Sequence, residues 1–369
     1  MPKIDVRPGQ GRSEGVGFLA SLAFTVLASV RDVYFGGVFQ STSPLGVAVV
    51  AFTLCSLLFL PIALARSPES FRVLRRRWRE LLGINVTTGL AWISFFYALR
   101  TIEPLLVQIL FAGVGPLTVM WVDRYVAATP PAALGHAERP IYLGLFVSLV
   151  LAAGVAVSGL SGAGPQPLGS AALGVALATG AGVSISMSTV LCRRLNDAGV
   201  VPTALVSVRF LGAIVLAATL ALSSRRELST LLPGSDGAVV LGAMLLLIVL
   251  PIYVSQIGIS RASPLTVRAV QALGPVLIFV LQLVEGRLSP SPYSLATGVL
   301  YGIFAVSAAV ARRRQGPVGV FRGVPRVPRG ATSAGGLGGP VTRPPMSVSS
   351  MSKVSTSFST VRGCRNVEV

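Results

Sequence analysis

Two residues of opposite charge, Arg31 and Asp32, stand side by side inside a long apolar run, in "LASVRDVYF" at 27–35. Ionised groups at membrane depth are costly and mark substrate or ion pathways by default. Asp32 is the one carboxylate well inside any apolar run of the chain; Glu103 and Glu285 lie near run ends. Such a carboxylate can carry a proton, and a guanidinium beside it can grip a carboxylate through charge-assisted hydrogen bonds. Together the two complement a zwitterion such as an amino acid. Adjacent helix residues diverge by about 100°. That divergence predicts that Arg31 and Asp32 do not satisfy each other, and that each turns to another helix or to a wet cavity. The alternatives are an internal ion-pair network, or an Arg31 that reaches the outer headgroups.

Further polar side chains lie in other apolar runs. Asn85, Thr88 and Trp92 follow steps of three and four and so share one helical face, with Tyr97 further along the same run. Gln108 stands alone in the next run; Tyr253, Ser255 and Gln256 share a later one; Arg268 and Gln271 share the run after that. For Gln108 and Gln271 the choice is ligand contact or hydrogen bonding between helices. Arg268 lies one turn from the end of its run, so it either meets substrate or snorkels to the interface. Ser184, Ser186 and Ser188 alternate and are expected to bond their own helix backbone. These groups can bind, but they do not assemble a catalyst. The chain has no P-loop, HExxH or GxSxG pattern, one histidine (His136), and three cysteines without metal spacing. No enzyme activity, metal or cofactor is expected.

The elements that must position these residues are set by composition. Hydrophobic residues make up 52% of the chain and charged residues 12%, against roughly 25% charged in soluble domains. Ten apolar runs approach the ~20 residues that span a bilayer: 15–38, 44–65, 80–100, 102–122, 140–160, 168–192, 200–222, 237–259, 264–284 and 289–311. None alternates as a strand would, so all are read as helices. The net charge of +18 does not indicate nucleic acid, because of where it lies. Ten of 31 basic residues fall from Arg312 onward, in a tail rich in Gly, Pro and Ser that cannot bury a core. Fourteen more lie at one membrane face and four at the other. Positive residues mark the cytoplasmic side, so both termini are expected there, with membrane lipids rather than nucleic acid as the charged partner. Arg outnumbers Lys 29 to 2, a composition that fits a GC-rich bacterium and its inner membrane.

The runs repeat. "YALRTIEPLLVQILFAGVGPL" at 97–117 matches "IGISRASPLTVRAVQALGPVL" at 257–277. Pro104 and Pro264 are 160 apart, Gly115-Pro116 and Gly274-Pro275 are 159 apart, and Pro44 and Pro202 are 158 apart. Gln108 and Arg268, also 160 apart, become partners in this scheme. One five-helix unit thus occurs twice. Five being odd, the second copy must enter the membrane inverted, as in secondary transporters with a midplane site. The Gly-Pro pairs are candidate gating bends or fixed packing kinks. Gly298 and Gly302 form a GxxxG pair that packs closely, either within the chain or in a homodimer.

The 5+5 layout, "FYALRTIEPLLVQILFAGVGPL" and "PTALVSVRFLGAIVLAATLAL" resemble the drug/metabolite transporter superfamily, EamA type, over residues 15–312. The resemblance implies an ATP-independent carrier, often an exporter, whose central cavity is lined by helices 1, 3, 4, 6, 8 and 9. It also implies an Arg near the cytoplasmic end of the seventh helix, which Arg209 supplies as a residue expected to snorkel. The first half departs from the pattern, with Ala51 at the corresponding place and Ala28-Ser29 where the family often has Trp-Gly. The expected protein is therefore an all-α integral membrane protein of ten helices in two inverted repeats. Its parts are a short N-terminal tail (1–14), the repeats at 15–160 and 161–312, and a disordered basic tail (313–369). Its expected activity is export of a small polar or amphipathic metabolite, the alternatives being a lipid scramblase or an assembly factor, or a membrane enzyme that would lack its motifs.

Overall fold

The computed structural model describes residues 10–39, 42–126, 138–223, 242–286 and 291–314. Expectations for the first nine residues, for His136 and for the tail beyond residue 314 lie outside these. Every regular element among the described residues is helical. In chain order they are α1 Gln10–Val38, α2 Pro44–Arg66, α3 Pro68–Arg76, α4 Trp78–Thr101, α5 Pro104–Val126, α6 Glu138–Val157 and α7 Leu168–Asp197. There follow α8 Pro202–Val208, α9 Leu211–Ser223, α10 Leu250–Arg261, α11 Pro264–Gln271, α12 Gly274–Glu285 and α13 Pro292–Arg314. Nine spans among the described residues are long and apolar enough to cross a membrane; α8 with α9 makes one of them, and α11 with α12 another. The tenth run contributes a shorter apolar helix, Pro292–Ala308. Large apolar side chains face outward on these spans: Leu222 is 74% exposed and Val284 81%. Such a belt suits lipid rather than water.

Proline and serine set many helix starts. Six helices begin on Pro, whose missing N–H is harmless in the first turn. Ser43 and Ser263 accept hydrogen bonds from the N–H of Gly46 and Thr266, both 3.1 Å, as N-caps. Inside the spans proline acts differently. Before Pro251 the helix widens into one π turn, Leu245–Val249, which relieves the clash a proline makes with the preceding turn. The arginine cluster at 72–79, read from sequence only as a marker of the cytoplasmic side, forms the short amphipathic α3 and the start of α4. Ser70 and Leu74 are its buried residues.

The two halves of the chain interlock. α4 packs most extensively on α7, and α1 on α10; α5 also packs on α7, while α1 reaches α11 and α12. α2 lies on α8 and α9, and α6 on α13. Small residues permit the closest crossings. A Cβ on Gly182 of α7 would lie 2.4 Å from the carbonyl oxygen of Phe111 and 2.4 Å from Val114 Cγ1 on α5. Arg193 at the end of α7 donates through Nη1 to the carbonyls of Ile259, Ser260 and Ala262, closing the C-terminus of α10. Gly298 and Gly302 face Leu105 and Val276, so this GxxxG pair packs within the chain.

Between α4 and α5, Glu103 holds two other segments. Its Oε2 accepts from Ser294 Oγ at 2.7 Å and from the Gly162 N–H at 2.9 Å. Burial raises this carboxyl above its ordinary value, and the two hydrogen bonds oppose the rise. A carboxyl raised on folding binds more protons folded than unfolded, so its contribution is greatest at low pH and falls as pH rises through the folded value.

Two predictions follow from this packing. Gly182→Ala should lower thermal stability by about 1–3 kcal/mol through overpacking, while Gly180→Ala, with nothing within 4 Å of its Cβ, should not; equal melting temperatures for the two would contradict the close crossing. The parent is expected to lose stability as pH rises above the ordinary glutamate value, and Glu103→Gln should flatten that loss. Parallel melting curves over that rise in pH would show that Glu103 titrates as if exposed.

Candidate functional site

α1 runs unbroken through Arg31 and Asp32, and both are buried, at 2% and 0% exposure. Contrary to the sequence expectation, they satisfy each other. Arg31 donates to Asp32 Oδ1 from Nε at 2.7 Å, and its Nη2 forms an ion pair with the same oxygen at 2.6 Å. The 100° between neighbouring Cα–Cβ directions is bridged because the long arginine side chain folds back. The second carboxylate oxygen, Oδ2, accepts from Gln108 Nε2 of α5 at 2.8 Å. The guanidinium lies 4.8 Å from the Trp92 ring centroid and 5.5 Å from that of Phe95 on α4, a favourable cation–π arrangement. Asp32 is thus committed on both oxygens, in the internal ion pair that was one of the alternatives read from sequence.

Two other arginines enter the interior from the second half of the chain. Arg209 falls in the turn between α8 and α9, and Arg268 lies in α11, just before the break at Ala272–Leu273. They are 4% and 2% exposed. The expectation that Arg209 snorkels is therefore corrected, and of the two readings left open for Arg268 the interior one is observed. Arg209 donates from Nη1 to Gln256 Oε1 at 2.9 Å and from Nη2 to Ser188 Oγ at 3.4 Å, and it lies over the Phe210 ring at 5.1 Å. Ser188 also shares a 2.8 Å hydrogen bond with Thr88, so it serves the interior rather than its own helix backbone. Ser186 behaves as expected and donates to the carbonyl of Gly182. Arg268 donates from Nη1 to Gln271 Oε1 at 2.9 Å and from Nη2 to Thr189 Oγ1 at 2.7 Å.

Arg31, Arg209 and Arg268 line one cavity, of about 560 Å³ when the open space at its mouth is included. A second, of about 300 Å³, shares Arg31, Arg268, Gln271, Phe24 and Phe111 with it and adds Gln108. The lining of the combined space is both cationic and aromatic, the rings including Trp92, Phe95, Phe111 and Phe210.

Of the residues selected from sequence, Arg31, Trp92, Gln108, Arg268 and Gln271 line this space. Asp32 and Gln256 stand behind it, holding Arg31 and Arg209. Asn85, Tyr97 and Tyr253 do not line it. Asn85 Oδ1 accepts from the Gly212 N–H at 2.8 Å, a cap for α9 supplied by another helix, and Tyr253 stacks on Phe59 at 4.9 Å. Tyr97 packs against the apolar core. Of the gating candidates, Gly115-Pro116 sits within unbroken α5, whereas Gly274-Pro275 opens α12 directly after a break. Their glycines meet the polar residues of the opposite half. A Cβ on Gly115 would lie 3.2 Å from Arg268 Cδ, and one on Gly274 3.5 Å from Gln108 Nε2. Sequence reasoning passed over Arg209 as a site residue. Its position deep in the run 200–222 carried the same signal that selected Arg31.

No family model and no curated protein matches the chain. A solved structure titled only as a crystal structure of a protein is similar, with a TM-score of 0.58 and 21% identity over 83% of this chain and 99% of its own. That likeness is one of fold alone.

Removing either member of the Arg31–Asp32 pair strands a buried charge, which typically costs about 3–5 kcal/mol. Asp32→Asn and Arg31→Gln should each lower the melting temperature, and the double variant should recover part of the loss. Single variants as stable as the parent would show that water reaches both side chains.

Proposed function

We propose that the protein is a secondary-active transporter of the bacterial inner membrane that moves a small polar or amphipathic metabolite by alternating access. The observation that carries this reading is the meeting of three buried guanidiniums around one space inside an apolar helical bundle. Buried charge is expensive in such a bundle unless a pathway or ligand uses it. In this reading the spans form two inverted five-helix repeats with both termini cytoplasmic. The reciprocal packing of Gly115 on Arg268 and Gly274 on Gln108 supports the repeat, since each pair joins positions 159 or 160 apart to the other half. The cavity draws its lining from the first, third, fourth, sixth, eighth and ninth spans, those that the resemblance to EamA-type carriers assigns to the substrate path, and also from the seventh, which supplies Arg209 and Phe210. That same resemblance points to export.

The two interruptions beside cavity arginines offer hinges: the Arg209–Phe210 turn between α8 and α9, and the Ala272–Leu273 break between α11 and α12. Rotation about either moves a guanidinium relative to the aromatic rings, so access and binding change together.

The test is transport by the full chain in proteoliposomes, with radiolabelled amino acids, organic acids, amines and amphiphilic drugs. Saturable, gradient-driven movement of at least one class without ATP is expected. Movement of fluorescent phospholipid, with every solute crossing no faster than in protein-free vesicles, would replace this reading with a scramblase. Strict dependence on ATP would exclude secondary transport.

A further inference from the structure

We infer that the cavity is built for an organic anion with two negative charges on one end, a phosphomonoester or a dicarboxylate, and an apolar or aromatic body. The inference deepens the transport reading and rests on it for the role of the cavity, but its chemistry is drawn from the charges and donors around the space.

Three guanidiniums line the cavity, and no described carboxylate lines it. Asp32, the one carboxylate behind it, is taken by Arg31 and Gln108. Arg31 is thereby neutralised. Arg209 and Arg268 have only neutral partners: Gln256 and Ser188 for one, Gln271 and Thr189 for the other. The group as a whole carries a formal charge of +2. Two like charges on the lining of one cavity repel, and each is desolvated. A doubly charged oxyanion between them removes both penalties at once.

The unpartnered atoms point to the same ligand chemistry. Among the lining residues, Arg31 Nη1, Arg209 Nε, Arg268 Nε and Trp92 Nε1 are buried without hydrogen-bond partners. All four are donors. Among the residues of this site, the acceptor left without a partner is Gln108 Oε1. A cation or an amine would add donors to a donor-rich space and leave these groups unmet. An oxyanion supplies several acceptor oxygens, and arginine forks bind carboxylate and phosphate well. The aromatic residues of the lining account for the ligand's body. Phe24, Phe111 and Phe210 carry no polar group, and together with Phe95 they leave an apolar region beside the guanidiniums.

Isothermal calorimetry on the purified full chain in detergent, with probes sharing one ring, tests this. Phenyl phosphate and phthalate are the dianions, benzoate the monoanion, phenylalanine the zwitterion and benzylamine the cation. The two dianions are expected to bind, benzoate about tenfold or more weaker, and phenylalanine and benzylamine not measurably. Phenyl phosphate against phthalate tells whether phosphate or paired carboxylates fit better; binding of either supports the inference. Arg209→Gln and Arg268→Gln remove charges that have no counter-ion, so both variants should fold, and each should weaken dianion binding about tenfold or more. Arg209→Lys and Arg268→Lys should recover part of it. Folded Gln variants that bind the dianions as the parent does would overturn the inference. So would a parent that binds phenylalanine or benzylamine as tightly as the dianions, or one that binds none of the probes. The failures separate cleanly. Dianion binding without solute movement in vesicles would remove the transport reading alone, and movement of an amine or zwitterion without dianion binding would remove the anion alone.

Discussion

A guanidinium taken out of water needs a counter-charge and acceptors for its five donors, and without them it destabilises whatever encloses it. Three such groups lie inside this helical bundle, and their surroundings are fitted to that demand. Trp92, Phe95 and Phe210 present ring faces to Arg31 and Arg209. Gln256, Gln271, Ser188 and Thr189 turn oxygens toward Arg209 and Arg268. Only Arg31 receives a carboxylate. The support is partial, and the part left undone lies around one cavity rather than being scattered through the molecule.

The backbone is shaped by the same demand. A straight helix would carry Arg209 and Arg268 along its wall, but α8 and α11 both stop within three residues or fewer of them. Interrupting a helix inside a membrane frees backbone groups that find no water there. The chain repairs these locally. Asn85 takes the Gly212 N–H at the start of α9, and the Leu273 N–H bonds the carbonyl of Val270 in a tighter turn. Asn85 is therefore as necessary to the site as a residue that lines it, although it touches no part of the cavity.

How much could be read from sequence follows from these interactions. Span positions were legible because lipid imposes both length and apolarity on a helix. The continuity of α1 through Arg31 and Asp32 was legible from length as well, since a helix ending before them would be short. The pairing of those two residues was not, because the direction of a Cα–Cβ bond does not fix where a flexible arginine ends. Face assignment was similarly blunt. Asn85 and Trp92 do share a face, but seven residues of rise separate them by about 10 Å. That distance places one at the α9 contact and the other on the cavity. The turn at Arg209–Phe210 had no proline to announce it, so Arg209 was assigned to the interface on the strength of a helix that in fact ends one residue earlier.

The spacing of 158–160 between the two halves keeps some features and changes others, and the division is physically ordered. Backbone-determining residues recur: Pro104 with Pro264, Gly115 with Gly274, Pro44 with Pro202. The polar position differs, glutamine at 108 and arginine at 268. Each of these polar residues lies against the recurring glycine of the opposite half, and the gap a Cβ would leave is 3.2 Å at Arg268 and 3.5 Å at Gln108. The backbone differs between the two places, since Gly115 lies within unbroken α5 whereas Gly274 opens α12 directly after a break. In the first half the neutral occupant is turned to a structural task, holding Asp32 against Arg31. In the second half the charged occupant keeps only neutral partners. The positive charge of the cavity accordingly comes from the second half, where Arg268 and Arg209 both stand beside a break in their helix.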